Sequence, residues 1–264
     1  MRDTESMDTQ LKSPDELIDG LGMERLLAFA AHPDDLDFAA AATVAALSER
    51  GVEVTLCLLT AGDAGGFEIG RDAEEMAVRR RQEQLDAAEI LGIREVIFLD
   101  ERDGFVEPTL ELQKKVVRVM RQVRPDVVVS CHPERAWDRL QKSHPDHLAC
   151  GEAVVRASYP AVENPFAFPE LLEEEGLEAF KITSLMLMGA PLERIQLRVD
   201  VTGYEDKKLE ALRRHFSQHP DPAGMEHYVL EKLLQAAERS GAGGRSAAEF
   251  HLVPVNAADT ISGF

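Results

Sequence analysis

Apolar residues along the chain fall into short unbroken runs, separated by stretches in which they recur every three to four positions. The runs at 25–31 (RLLAFAA), 52–59 (VEVTLCLL), 95–99 (EVIFL) and 126–131 (DVVVSC) have the length and composition of strands buried on both faces. The periodic stretches predict helices over 35–50, 73–91, 110–123 and 147–158. Gly51 and Gly92 close two of them, and Pro125 breaks a third. Strand and helix therefore alternate four times. That order predicts an α/β fold, a Rossmann-like three-layer sandwich around a mostly parallel sheet. Further strands at 182–188 and 194–201 and helices at 204–215 and 226–240 read as a smaller C-terminal addition. Residues 1–22 read as a polar N-terminal tail with a short helix at 14–21, and 23–264 as a single domain without repeat or linker.

In sheets of this kind ligands bind outside the carboxyl ends of the strands. Here those ends carry His32, the glycine-rich loop Thr60-Ala-Gly-Asp-Ala-Gly-Gly66, Asp100 and Cys131, so the polar residues gather at one edge. Composition narrows the classes of function. The chain has 29 basic and 48 acidic residues in 264, a formal charge of −19, and such a field repels a phosphate backbone. No nucleic-acid partner is expected. No apolar run approaches the length of a membrane span. The N-terminus is acidic and lacks an apolar core, which reads against a signal peptide. Three cysteines without a CxxC pair suit a reducing compartment, so a cytoplasmic location is expected. No GxGxxG follows the first strand, and neither GxxxxGK[ST] nor GxSxG occurs.

Two segments carry candidate chemistry. Ala31-His-Pro-Asp-Asp-Leu-Asp37 spans a strand end and a helix start, and His144-Pro-Asp-His147 opens another helix. Histidine and aspartate are ordinary nitrogen and oxygen ligands of zinc, and a catalytic zinc keeps three protein ligands and an open position. His32 and Asp35 are three apart, as are His144 and His147, so each pair can point two groups the same way. A lone His-x-x-Asp reads more readily as a helix cap. Two such segments at one sheet edge favour a metal. His132 is a rival ligand, though nothing near it in sequence completes a second pair. Arg80 suits a sugar hydroxyl or a phosphate but lies in the run Arg79-Arg80-Arg81, which reads equally as a surface. Asp103 reads as a ligand for a sugar hydroxyl or as the turn residue before Gly104. Trp137 and Arg135, in the loop before His144, suit either stacking on a sugar or anchoring the loop.

AHPDDLD together with HPDH resembles the zinc-dependent N-deacetylase superfamily called LmbE-like or PIG-L. The resemblance extends to Thr60-Ala-Gly-Asp-Ala-Gly, to the helix with Arg80, Glu83, Ala87 and Leu91-Gly92, to Asp103-Gly104, to Phe168-Pro-Glu-Leu171 and to His215-Phe-Ser-Gln218. It implies a metal-dependent amidohydrolase acting on a linear amide C–N bond. Such an enzyme removes the N-acetyl group of an N-acetylglucosamine-type conjugate with a zinc-activated water. Carried onto this sequence, it implies His32, Asp35 and His147 as metal ligands and Asp34 as general base. A cationic His144 would stabilise or protonate the transition state. It implies one Zn²⁺ per chain, with Fe²⁺ the alternative, and a homo-oligomer. Leu36 stands where one common form of the motif has Glu, and Asp37 stands as a shortened form of the acid in HPDDxE. The alternatives are an amidase on a non-sugar conjugate, a metal-dependent phosphoesterase, and a sugar-binding relative without catalysis.

Overall fold

The computed structural model describes residues 11–137 and 140–256. Its centre is an eight-stranded mixed sheet. The strands are β1 (Leu11–Lys12), β2 (Arg25–Ala30), β3 (Glu53–Thr60), β4 (Glu95–Glu101), β5 (Val127–Cys131), β6 (Ser184–Met188), β7 (Leu197–Asp200) and β8 (Ala247–Pro254). They lie in the order β1-β7-β8-β6-β5-β2-β3-β4. All neighbours pair in parallel except β8, which runs antiparallel to both β6 and β7. From β2 the chain winds outward to β3 and β4, then returns to β5 on the other side of β2 and continues to β6. The crevice between β2 and β5 is thus the point where the winding reverses, the place where open α/β sheets bind ligands.

Among the described residues, eight α-helices accompany the strands. Among them are α1 (Pro14–Leu21), α2 (Asp35–Ser48), α3 (Ala73–Leu91), α4 (Leu110–Val123), α5 (Pro145–Arg156), α6 (Glu170–Glu173), α7 (Glu205–Arg214) and α8 (Pro222–Arg239). α2 packs against α3 and α7, and α4 packs against α5. Right-handed crossovers in opposite winding directions place these two groups on opposite faces of the sheet, giving three layers. The core sits on β2, where Leu26 to Ala30 are all buried, with Phe29 wholly so. α2 packs on β2, β3 and β8 and is flanked by α3 and α7. It is therefore buried nearly all round, which explains its run Phe38-Ala-Ala-Ala-Ala-Thr43 in place of a one-sided stripe.

The four central strands and their helices match the periodicity within two residues at most ends. Residues 11–22 of the segment expected to be a tail contribute more than their polarity suggests, and 1–10 lie outside the described residues. Leu11–Lys12 pairs with β7, Ser13 and Glu16 form a reciprocal capping box, and Leu17 is buried. α8 begins at Pro222, four residues before the expected start, because Asp221 caps it and proline suits its first turn. β8 was not expected at all. Glu249 and His251 interrupt its apolar pattern, yet it forms the link between β6 and β7. No helix among the described residues is long and apolar enough to cross a membrane.

Truncating Phe29 removes a ring from the middle of the β2 core. Phe29→Ala is expected to cost about 3–5 kcal/mol, whereas Phe166→Ala, at a residue 86% exposed, should change stability by less than about 0.5 kcal/mol. Urea denaturation midpoints of the two variants check this.

Candidate metal centre

β2 ends at Ala30, and His32 to Asp35 turn the chain into α2. Pro145 opens α5 beside the end of β5, so His144 caps that helix and His147 stands one turn in. α5 can approach this closely because Gly151 has no side chain. A Cβ there would lie 2.5 Å from the carbonyl oxygen of Cys131 and 2.8 Å from the nitrogen of Pro133. The β2–β5 pairing therefore brings two distant motifs face to face. The imidazoles of His32, His144 and His147 offer nitrogens that all lie within 4.8 Å of one another.

Asp35 joins the cluster. Its Oδ1 lies 2.9 Å from His147 Nε2, and its Oδ2 lies 3.4 Å from His32 Nδ1 and accepts the backbone N–H of His32 at 2.8 Å. His32 Nε2 is 3.1 Å from both Asp103 Oδ1 and Asp146 Oδ2. Two carboxylates thus hold a proton on Nε2 and leave Nδ1 facing Asp35. That is the orientation a ligating imidazole takes when a carboxylate behind it fixes its tautomer. Burial works against charge on His32, but its hydrogen bonds to Asp103, Asp146 and Asp35 outweigh it and push the imidazolium up to about 12. Burial raises Asp35, yet the charge and hydrogen bond of His147 and those of His32 hold it well below the ordinary range. Two imidazole nitrogens and a carboxylate converge where protons now hold them together. Such a donor set suits zinc or ferrous iron, which would take the place of those protons. The thiol of Cys131 also comes within 4.8 Å of ligand atoms on Asp35 and His147.

Asp34 occupies the N-cap position of α2, but its side chain makes no capping hydrogen bond. Its backbone is left-handed, with φ of 92°, a conformation costly for a residue with a Cβ and characteristic of functional sites. Its carboxylate lies 3.6 Å from Arg80 Nη2 on one side and 3.6 Å from His219 Nε2 on the other. Burial raises it most, Arg80 opposes, and Asp35 adds to the rise, leaving it pushed up to about 7. His144 Nδ1 accepts the N–H of Asp146 at 3.2 Å, which leaves its Nε2 to carry the proton of the neutral ring. The sequence suggests a cationic His144. Burial and the facing His32 and His147 instead lower it, so the neutral form prevails at neutral pH.

Of the remaining candidates, Arg80 and Asp103 adjoin the cluster and lie 4.0 Å apart, whereas His132 and Trp137 stand away from it. Arg80 is buried in spite of its arginine run. It donates to the carbonyls of Gly62 and Pro33. Asp103 accepts the N–H of Ala64 and faces His32. His132 stands outside the imidazole cluster. Its Nδ1 accepts the N–H of Glu134, so its Nε2 carries the proton and donates to His251 Nδ1 at 2.9 Å. Trp137 is exposed beside Arg135, which lies over its ring. The structure adds Asp146, His219 and Gln84, none of which was singled out from sequence. Asp146 lies inside HPDH and was legible as part of that motif, whereas His219 falls one residue past His215-Phe-Ser-Gln218 and carried no signal of its own. A cavity of about 480 Å³ adjoins Asp35 and His147, between α2, α8 and the ends of β5 and β6.

Comparison with known proteins gives a consistent picture. A family model described as PIG-L, GlcNAc-PI de-N-acetylase, matches residues 27–158. The chain is 30% identical over 222 residues to the diacetylchitobiose deacetylase of Thermococcus kodakarensis, covering 83% of this chain and 80% of that protein. It is 34% identical over 210 residues to a Bacillus cereus protein named probable N-acetyl-alpha-D-glucosaminyl L-malate deacetylase 2, covering 74% of this chain and 84% of that one. Among solved structures it is similar to N,N'-diacetylchitobiose deacetylase from Pyrococcus horikoshii in complex with its inhibitor MPG. The TM-score is 0.80 at 25% identity, and the match covers 91% of each chain.

The His132–His251 pair sets a pH dependence. Burial and the neighbouring His251 lower His132 from 6.5 to about 4. Between those values the unfolded chain binds the proton that the folded chain refuses. Stability is therefore full above pH 6.5 and falls as pH drops toward 4, by up to about 3 kcal/mol from this group. Thermal midpoints measured from pH 7.5 to 4.5 should fall less steeply in His132→Gln than in the parent.

Proposed function

The chain belongs to the PIG-L (GlcNAc-PI de-N-acetylase) family, and on that premise we propose that it is a metal-dependent N-deacetylase. It hydrolyses the acetamide of an N-acetylglucosamine-type conjugate and frees acetate and a primary amine. The observation that carries this reading is the convergence of His32, Asp35 and His147 at the β2–β5 crevice, with Asp34 next to Asp35 in the chain and its carboxylate between Arg80 and His219.

His32 Nδ1, Asp35 and His147 Nε2 would hold the cation, zinc or ferrous iron, one per chain. When bound, that ion supplies Lewis acidity toward the amide carbonyl and acidifies a water. The chain's own groups do the rest. Asp34 takes the proton of the attacking water. A base near 7 is ionised enough to act and basic enough to accept, and such catalysis contributes about 10²–10⁴-fold. Arg80 and His219 flank its carboxylate and keep it from turning away. His144 presents Nε2–H to the oxyanion of the tetrahedral intermediate, a donor of the kind whose loss costs roughly 3–4 kcal/mol. The proton taken by Asp34 passes to the leaving nitrogen as the C–N bond breaks. Asp103 and Asp146 fix the tautomer of His32 from behind. The names of the similar proteins, a diacetylchitobiose deacetylase and a probable N-acetyl-alpha-D-glucosaminyl L-malate deacetylase 2, support a substrate of that class. A phosphoesterase with two metals would need more bridging carboxylates than Asp35 provides.

Two outcomes test the reading. Asp34→Asn should keep one equivalent of metal by elemental analysis and lose at least about 10²-fold in kcat toward N,N'-diacetylchitobiose; retained turnover would refute the base. His147→Ala should lose the metal itself. Chelation of the parent protein should stop acetate release, and added Zn²⁺ or Fe²⁺ should restore it.

A further inference from the structure

The left-handed turn at Asp34 is not self-supporting. The peptide unit that joins Pro33 to Asp34 is gripped at both ends from α3. Its carbonyl oxygen accepts Arg80 Nη2, and its N–H donates to Gln84 Oε1 at 3.0 Å. Arg80 and Gln84 are four apart, so they share one face of that helix. Rotating this peptide is what would release Asp34 from φ of 92° into an ordinary conformation. Both gripping side chains are buried.

Gln84 is itself oriented. Its Nε2 donates to Asp37 Oδ2 at 2.9 Å. A backbone N–H only donates and a carboxylate only accepts, so the amide can face them in one way alone. Asp37 is wholly buried, and the same Oδ2 faces His215 Nε2 at 3.3 Å. A glutamate at 84 would set a second carboxylate against Asp37. A leucine would leave the Asp34 N–H without its partner.

We propose that Gln84 is a positioning residue for the reaction: aligned by Asp37, it clamps the Pro33–Asp34 peptide together with Arg80 and so aims the Asp34 carboxylate. This rests on the reading of Asp34 as the base. Gln84 is wholly buried, with its amide spent on the Asp34 N–H and on Asp37, so its loss should fall on kcat rather than on KM or metal content.

The test uses the full metal-loaded chain with N,N'-diacetylchitobiose. Acetate release by the parent protein establishes the activity first. A parent without activity refutes the functional reading and leaves the clamp to be judged by the amide readout below. Gln84→Leu and Gln84→Glu should each lower kcat by about tenfold to a hundredfold, the scale of a small misplacement of a reacting group, with KM within about twofold and one metal per chain. The double variant Gln84→Glu/Asp37→Asn exchanges donor and acceptor across the same contact. Its glutamate accepts from Asp34 N–H and from Asn Nδ2, and it should restore kcat to within about threefold of the parent. Hydrogen exchange of the Asp34 amide, read by NMR without substrate, should accelerate at least about tenfold in Gln84→Leu and recover in the double variant. If Gln84→Leu keeps full kcat and a protected Asp34 amide, the proposal is overturned. An equal kcat loss in Gln84→Glu and the double variant overturns it as well. Should the Asp37 variant fold poorly, exchange at Asp34 in Gln84→Met decides alone: an unchanged rate refutes the clamp, and a faster one supports it.

Discussion

The parallel pairing of β2 with β5 is the contact on which the site depends. Leu26, Leu27 and Ala28 register against Val127, Val128 and Val129, and that register sets the turn after β2 opposite the start of α5. His32 and Asp146 lie 114 residues apart in sequence and 3.1 Å apart in space as a result. Nothing in either motif alone fixes that distance. It is fixed by fully buried backbone ladders, whose slippage by one residue would turn every β2 side chain to the opposite face. The chemistry is therefore only as well placed as the apolar pairing beneath it.

The electrostatics follow the same geometry. A chain of net charge −19 concentrates Asp34, Asp35, Asp103 and Asp146 within one crevice, and each faces a cationic or cation-binding partner. Asp35, Asp103 and Asp146 surround His32, while Arg80 and His219 flank Asp34. Three of these carboxylates are held below their usual range despite burial, by His147 and His32 for Asp35 and by His32 for Asp103 and Asp146. Asp34 alone is driven upward, because burial dominates there and Arg80 compensates only in part. Neighbouring aspartates thus acquire opposite characters, one suited to holding a charge and the other to exchanging a proton.

Much of this was legible in the sequence, and the remainder was hidden for definite reasons. The central strands announce themselves as uninterrupted apolar runs, and α3 and α4 end where Gly92 and Pro125 require. β8 escaped because a strand that closes a sheet between two others does not need a continuous apolar pattern when Glu249 is paired with Arg198 and Arg239. HPDD and HPDH stood out because ligand-type residues recur at helix starts. Gln84 and His219 did not, since a glutamine on a polar helix and a histidine in a loop acquire meaning only from what lies opposite them. Arg80 illustrates the same limit. Its flanking arginines suggest solvent, yet only the middle of the three turns inward to meet Gly62 and Pro33.

The bare backbone at Gly151 carries a last implication. Main chain rests almost directly on main chain there, so the gap between the strand end and the helix bearing His144 and His147 has no compliant side chain to absorb a change. Variation in what the crevice can accommodate is then left to the outer loops, where side chains rather than main chain set the spacing. The inner wall of the crevice behaves as a rigid gauge: any side chain at 151 would have to push the strand end and the helix apart.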